Sequence, residues 1–209
     1  MLVFWKENLV LLAVPKTGST ALEGALAPRA SMVLRDPPHL KHAPCYRYKR
    51  FLKPFFVQAG GQKPELMAVV RNPIDWLGSW YRYRRRPEVN GQKNSTGGIT
   101  FDEFVQMYMK GDKPACANVG SQMKFLSPQR NGCAVTYLFR YEDPEGLNSF
   151  LSQRLGVPVQ TDKRNISPRM ELYLSDKTRR RFYMKHADET ALWESIQAGG
   201  KYQFPDMPD

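Results

Sequence analysis

The chain has 209 residues, a length typical of one domain, and 42% of them are apolar, which excludes a wholly disordered protein. Basic residues number 31 against 20 acidic ones, so the net charge is +11 and favours nucleic acid, an acidic membrane, an anionic glycan or a phosphorylated cofactor as partner. Cys45, Cys116 and Cys133 lack metal-ligand spacing and are expected to be reduced thiols. We find no apolar run of ~18 residues and no signal-peptide core, so we expect a cytoplasmic protein without a membrane span.

Apolar runs and turn residues predict alternating strands and helices along the chain. Buried strands are predicted at residues 9–14, 31–34, 66–70 and 135–139. Helices are predicted at residues 21–26, 46–59, 73–86, 100–110, 144–155, 175–185 and 187–196. Residues 1–8 receive no element, residues 36–44 are expected to be irregular because of their prolines, and Pro54 is a point where the second helix could be interrupted.

This alternation indicates a single α/β domain over residues 1–209, with a mainly parallel central sheet flanked by helices in three layers. In such sheets, ligands bind at the carboxyl ends of the strands. The residues that directly follow each strand are therefore the first candidates for a functional site.

The first candidate is the segment Pro15-Lys16-Thr17-Gly18-Ser19-Thr20, which leads from a buried strand into a helix. A helix N-terminus presents free N–H groups and positive partial charge, Gly18 allows close approach of the backbone, and Lys16 adds a full charge. The segment therefore predicts an anion-binding cradle. It is not a Walker A motif, because the lysine precedes the glycine, and the next buried strand ends in Arg71 rather than in an acidic metal ligand.

Two short motifs suggest a different chemistry and are rejected. Lys16-Thr17-Gly18 and Ser121-Gln122-Met123-Lys124 match two boxes of the penicillin-recognising enzymes. Their order along the chain is reversed relative to that family, and its Ser-Asp-Asn box is missing.

The second candidate is Arg71-Asn72-Pro73, which follows the strand at residues 66–70, together with Ser79 in the next helix. Arginine offers a planar fork that suits phosphate oxygens, and Asn72 can cap the helix that Pro73 opens. Two strand-end anion sites in this order are much more specific than either motif alone.

With these two motifs the chain resembles the sulfotransferase superfamily, and most closely the bacterial branch of the small carbohydrate-type enzymes. The segment Phe139-Arg140-Tyr141-Glu142-Asp143 is also similar to one that is common in these enzymes. The resemblance implies a P-loop-like fold, 3′-phosphoadenosine 5′-phosphosulfate (PAPS) as the sulfuryl donor, and no metal. It places Lys16 on the bridging and sulfuryl oxygens. The 5′-phosphate would be held by Thr17, Gly18, Ser19 and Thr20, and the 3′-phosphate by Arg71 and Ser79.

Transfer to an acceptor hydroxyl or amine requires a general base, and histidine suits this role near neutral pH. His39 and His42 lie in the proline-rich segment after the second predicted strand, and the family resemblance favours His42. Glu23 is a less favoured carboxylate alternative that is expected to be solvated or salt-bridged, and His186 is expected at the surface. The acceptor is expected to be a small molecule or a glycan, and the basic composition favours an anionic one.

The basic run Tyr81-Arg82-Tyr83-Arg84-Arg85-Arg86 leaves several interpretations open: a solvated helix face, an acceptor entrance, or a surface that stacks nucleic-acid bases. Lys163, Arg164 and Arg169 could close over the nucleotide. The alternative functions are a P-loop-type nucleotide kinase and a non-catalytic nucleic-acid-binding module. No recognised nucleic-acid motif is present, so we do not expect a nucleic-acid partner.

Overall fold

The structure is a computed structural model that describes residues 1–127, 134–161, 170–197 and 199–200. The expectations for Cys133, Lys163, Arg164 and Arg169 therefore lie outside the described residues.

The described strands form one sheet in the spatial order β3-β1-β2-β4-β5. The strands are β1 (Leu2–Phe4), β2 (Leu9–Leu12), β3 (Met32–Val33), β4 (Glu65–Val70) and β5 (Tyr137–Arg140). β2, β4 and β5 are parallel to one another, with Leu12 opposite Ala68 and Ala68 opposite Leu138. β1 runs antiparallel to both of its neighbours, β2 and β3. The predicted mainly parallel sheet is confirmed.

The prediction of no element in residues 1–8 was wrong, because β1 forms a tight hairpin with β2. The turn between them closes through a hydrogen bond from the Asn8 N–H to the Trp5 carbonyl at 3.1 Å, and Asn8 takes a positive φ of 51°. A three-residue strand is too short to show a hydrophobic period, and asparagine tolerates this left-handed conformation better than most residues.

Ten α-helices are described between and after the strands. They are α1 (Ser19–Leu26), α2 (Pro38–Lys41), α3 (Cys45–Arg47), α4 (Lys53–Gly60), α5 (Pro73–Arg84), α6 (Phe101–Tyr108), α7 (Gln122–Leu126), α8 (Pro144–Leu155), α9 (Asp176–Lys185) and α10 (Ala187–Glu194). The predicted helices are confirmed apart from small shifts at their ends.

Two expectations about prolines were wrong. Residues 36–44 are not wholly irregular, because Pro38 starts the short helix α2, where its fixed φ suits the first turn. Pro54 does not interrupt its helix either. A π-helical turn at Tyr48–Leu52 leads into α4, and the proline falls in the first turn of α4, where a missing N–H costs little.

Alternating side chains along the central strands produce three layers. Leu9 and Leu11 of β2 pack on one face with α1 and α8. Val10 and Leu12 pack on the opposite face, with α3, α4, α7 and α10. The three-layer α/β architecture is therefore confirmed. A further cluster joins α5, α6 and α9 around the buried rings of Tyr81, Phe104 and Phe182.

Because β2 and β4 are adjacent and parallel, their carboxyl ends open at the same edge of the sheet. The loop at residues 13–18 leaves β2 there, and Arg71 and Asn72 leave β4 beside it. Among the described helices, none is both long and apolar enough to cross a membrane.

Candidate functional site

The loop between β2 and α1 is held in an unusual backbone conformation. Lys16 has a φ of 66° and Gly18 a φ of 77°, both in the left-handed region. The buried Thr17 hydroxyl donates to the Val14 carbonyl at 2.9 Å, and the Trp76 indole N–H donates to the Pro15 carbonyl at 2.8 Å. Since the Thr17 hydroxyl proton is already committed, its main-chain N–H is the group left to meet a ligand.

This loop presents unused donors. Within the described residues, none of the main-chain N–H groups from Lys16 to Thr20 donates a hydrogen bond, and the Ser19 and Thr20 hydroxyls also make none. The first turn of α1 contains no acidic residue to offset the positive end of its dipole. The arrangement is suited to binding an anion through several donors at once.

The Lys16 ammonium lies against aromatic rings. Its Nζ atom is 3.2 Å from the centroid of the Tyr83 ring and 5.1 Å from that of the Trp80 ring. Burial, and next the nearby charges of Arg86 and Arg84, lower the pKa of Lys16 to about 7. The site therefore contains a desolvated cation beside other cations, an environment that an anionic ligand would relieve.

Arg71 forms the second cationic position, at the end of β4. Its guanidinium carbon lies 4.4 Å from the centroid of the Tyr141 ring. Its Nε atom is buried and has no hydrogen-bond partner among the described residues. A buried charged donor without a partner is costly, so this atom points to a missing acceptor.

Tyr141 brings the two positions together. Besides the Arg71 guanidinium, its ring contacts Gly18: a Cβ atom placed on that glycine would lie 3.2 Å from the tyrosine Cε2. One aromatic ring therefore spans the interval between the Lys16 loop and Arg71. The next residue, Glu142, accepts a hydrogen bond from the Asn72 N–H at 2.8 Å, so the end of β5 also supports the end of β4.

Ser79 is buried in the second turn of α5, and its hydroxyl makes no hydrogen bond within the described residues. The neighbouring Gly78 lies under Leu172, whose Cδ1 atom would be 2.7 Å from an added Cβ. The Arg82 guanidinium lies over the same glycine. Burial, and next the charge of Arg71, lower the pKa of Arg82. Arg82 is thus a further cation near Arg71 that the sequence motifs did not single out.

The two candidate base residues differ sharply in environment. His42 is partly buried, and its Nδ1 atom lies 2.7 Å from the Ala13 carbonyl oxygen at the end of β2. Because a carbonyl can only accept, Nδ1 carries the proton, and the lone pair is on Nε2. Burial lowers the pKa of His42, and the charges of Lys41 and Lys16 lower it further. His39 is exposed and makes no hydrogen bond to the described residues.

The other two candidates are engaged in contacts with other side chains. Glu23 forms ion pairs with Lys41, at 2.8 Å, and with Arg35. It is therefore salt-bridged, one of the two states expected from the sequence. His186 is half-buried rather than fully at the surface as expected, because its ring packs 5.0 Å from Tyr108 and 5.1 Å from Phe182, centroid to centroid.

The basic run at residues 81–86 has mixed roles. The buried Tyr81 hydroxyl donates to the Ile99 carbonyl at 2.7 Å, and Arg84 donates to the Ala115 and Cys116 carbonyls at 2.6 and 2.7 Å. These side chains stabilise the fold rather than form a base-stacking surface or a solvated face. Tyr83, by contrast, lies against the Lys16 ammonium.

Comparison with known proteins shows the family to which the chain belongs. The model of one protein family, described as the sulfotransferase family, matches residues 1–197. A mouse sulfotransferase, SULT7A1, solved in complex with PAP, has a similar structure with a TM-score of 0.43 and 18% sequence identity, covering 90% of this chain and 67% of that one. No curated protein sequence matches significantly. The family match spans nearly the whole chain and includes both cationic positions, so the chain belongs to the sulfotransferase family, whose enzymes transfer sulfuryl groups.

Proposed function

We propose that this protein transfers a sulfuryl group from PAPS to a hydroxyl or amine acceptor by in-line displacement. The observation that carries this proposal is the pair of cationic positions, the Lys16 loop and Arg71, at one edge of the sheet with the Tyr141 ring in contact with both. A donor with phosphates at both its 5′ and 3′ positions needs two such positions. Family membership supplies the reaction type.

The residues at the site fit this donor. The unused N–H groups of residues 16–20 suit the 5′-phosphate, and the partnerless Nε of Arg71 together with the Ser79 hydroxyl suits the 3′-phosphate. PAPS supplies an activated sulfuryl group whose leaving phosphate gains negative charge during transfer. Lys16 is positioned to stabilise that charge, and positioning with electrostatic stabilisation is the main route to catalysis in transfers of this kind.

His42 is our proposed general base. Its lowered pKa keeps the ring neutral near pH 7, and the hydrogen bond to Ala13 directs the basic lone pair to Nε2. The charge of Lys16 is among the causes that lower the pKa of His42, which supports assigning the two side chains to one site. His42 would therefore remove the proton from the acceptor hydroxyl close to the sulfuryl group that Lys16 contacts.

The proposed acceptor is a small molecule or a glycan, and we favour an anionic one. Arg82 and Arg86 stand near the two cationic positions, and Arg86 lies over the Tyr83 ring at 5.1 Å. Neither guanidinium has a hydrogen bond to the described residues, whereas the Arg84 guanidinium donates to the Ala115 and Cys116 carbonyls. Both are therefore available to an acceptor or donor phosphate.

A transfer assay with labelled PAPS and a panel of sugars, lipids and small alcohols tests the proposal, with His42→Ala and His39→Ala as a matched pair. We expect His42→Ala to lower kcat by about 10²- to 10⁴-fold, the usual contribution of a general base. The dissociation constant of adenosine 3′,5′-bisphosphate (PAP) should stay unchanged in both variants, and His39→Ala should retain its kcat. Equal kcat values in His42→Ala and the wild type would refute the assignment of the base.

A further inference from the structure

The Ser121-Gln122-Met123-Lys124 segment, which the sequence motifs left without a role, forms the N-cap and first residues of helix α7. Ser121 caps the helix, with its hydroxyl oxygen accepting from the Lys124 N–H at 3.1 Å and its hydroxyl proton donated to the buried Glu189 carboxylate. Met123 packs in the core beside the sheet. The helix is thus fixed at its start by Ser121 and along one side by Met123. The Gln122 side chain therefore leaves the helix in a defined direction.

The Gln122 side chain binds the main chain of Arg71 in both directions. Its Oε1 atom accepts from the Arg71 N–H at 2.9 Å, and its Nε2 atom donates to the Arg71 carbonyl at 2.8 Å. Gln122 is fully buried, so water does not compete for these bonds. One amide group therefore satisfies both main-chain polar groups of a residue that has just left β4 and has lost its partners in the sheet.

Glu142 holds the next peptide group. Its Oε1 atom accepts from the Asn72 N–H at 2.8 Å, and its Oε2 atom accepts from the Trp193 indole N–H at 3.1 Å. The main chain on both sides of the Arg71 Cα atom is therefore fixed by side chains from other elements. Because the direction of Cβ follows from the main chain, these bonds set where the Arg71 guanidinium can lie.

We propose that Gln122 is a positioning residue that directs Arg71 toward the 3′-phosphate and so determines preference for 3′-phosphorylated nucleotides. The inference rests on the proposed function, since it assumes that Arg71 receives this phosphate. The guanidinium already lies over Tyr141 with its buried Nε free of partners among the described residues, which is the state of a donor positioned before its ligand binds.

The test compares the dissociation constants of PAP and adenosine 5′-monophosphate, which differ only in the 3′-phosphate, for the wild type and Gln122→Met. Methionine keeps the size of the side chain and removes both hydrogen bonds. We expect PAP to bind about tenfold more weakly, as for a lost charge-assisted hydrogen bond, while adenosine 5′-monophosphate binds as before. Gln106→Met, at a glutamine of α6 bonded to Asp102, is the matched control and should change neither constant.

An Arg71→Met background separates positioning from a merely structural role. If Gln122 acts through Arg71, adding Gln122→Met to Arg71→Met should not change the ratio of the two dissociation constants further. Equal weakening of both nucleotides by Gln122→Met, or an unchanged ratio, would overturn the inference. If Gln122→Met fails to fold, Gln122→Glu serves instead. It keeps the acceptor for the Arg71 N–H and loses the donor to the Arg71 carbonyl, so it should also lower the preference for PAP.

The same titrations test the proposed 3′-phosphate site and the proposed role of Gln122 separately. A wild-type protein that binds PAP no more tightly than adenosine 5′-monophosphate contradicts the proposed 3′-phosphate site itself. A wild-type protein that prefers PAP, together with a Gln122→Met variant that shows the same preference, contradicts only the role of Gln122.

Discussion

The positive charge of Lys16 and its partly buried position oppose each other until an anion binds. Its left-handed backbone and its contact with the Tyr83 ring place the ammonium in a partly buried position, and burial favours the neutral amine. A bound phosphate would reverse this preference, because it supplies the opposite charge at close range. Binding of a phosphorylated ligand should therefore be coupled to protonation of Lys16.

This coupling predicts how affinity depends on pH. The pKa of Lys16 in the free protein is about 7, and a bound phosphate raises it, so the affinity for PAP should fall as the pH rises above 7, by up to about tenfold per pH unit. Isothermal titration of PAP between pH 6.5 and 9 measures this. Lys16→Arg keeps its charge over the whole range and should show a flat profile. A flat profile in the wild type would contradict the coupling.

The sequence predicted the two cationic residues but not what surrounds them. Lys16 and Arg71 were recognisable because each follows a run of apolar residues that reads as a buried strand. The roles of Gln122 and Glu142 arise from contacts with residues 51 and 70 positions away along the chain. A local sequence pattern contains no information about contacts between such distant positions. Similarly, the sequence could not show that the Thr17 hydroxyl is committed to Val14.

At the scale of elements, α7 and α10 stabilise the site from one side of the sheet. Glu189 of α10 is buried and accepts from the Ser121 hydroxyl and from the Met123 N–H, the latter at 3.4 Å from each carboxylate oxygen. Burial is the main cause that raises the pKa of Glu189 to about 7; the neighbouring Asp188 also raises it, while the Ser121 hydrogen bond and the charge of Lys113 oppose the rise. The carboxyl group is therefore protonated more readily in the folded than in the unfolded chain.

The consequence is a loss of stability as the pH rises from about 4.5 to about 7, since the unfolded chain releases this proton first. Within this window the contribution of Glu189 falls by about 1.4 kcal/mol per pH unit. Glu189→Gln removes the titration, so its stability relative to the wild type should increase between pH 5 and 7 and then level off. Urea unfolding at several pH values measures the difference, with Glu194→Gln, at an exposed residue of the same helix, as the control. If the stabilities of the wild type and Glu189→Gln changed in parallel with pH, the predicted contribution of Glu189 would be contradicted.

Helices and strands with strong local sequence signals were predictable, and short elements with weak sequence signals were not. The capping box of α6 joins Thr100 and Glu103, and Asn72 caps α5 as predicted; both of these signals lie within one turn of the chain. β1 and α2 are short, and they form because the hairpin and the Pro38 turn suit the surrounding fold. Tertiary context therefore decided the elements that the sequence pattern left open.

At the scale of the whole molecule, the sheet brings distant segments to one edge. The Lys16 loop follows β2, Arg71 follows β4, and Tyr141 follows β5, so three neighbouring parallel strands deliver the three groups side by side. The net charge of +11 adds a long-range attraction for anions to these local contacts. Topology thus explains why residues up to 125 positions apart (16 to 141) lie together at one edge of the sheet.

Thermal unfolding in the presence of nucleotides tests most directly whether one bis-phosphorylated nucleotide occupies both cationic positions. At 100 times its dissociation constant, PAP should stabilise the protein by about 2.7 kcal/mol, which corresponds to a rise in Tm of roughly 5–10 °C for a domain of this size. Lys16→Met and Arg71→Met should each reduce the rise at the same PAP concentration. A wild-type Tm that does not move with PAP but rises with ATP and magnesium would contradict the account and favour a nucleotide kinase.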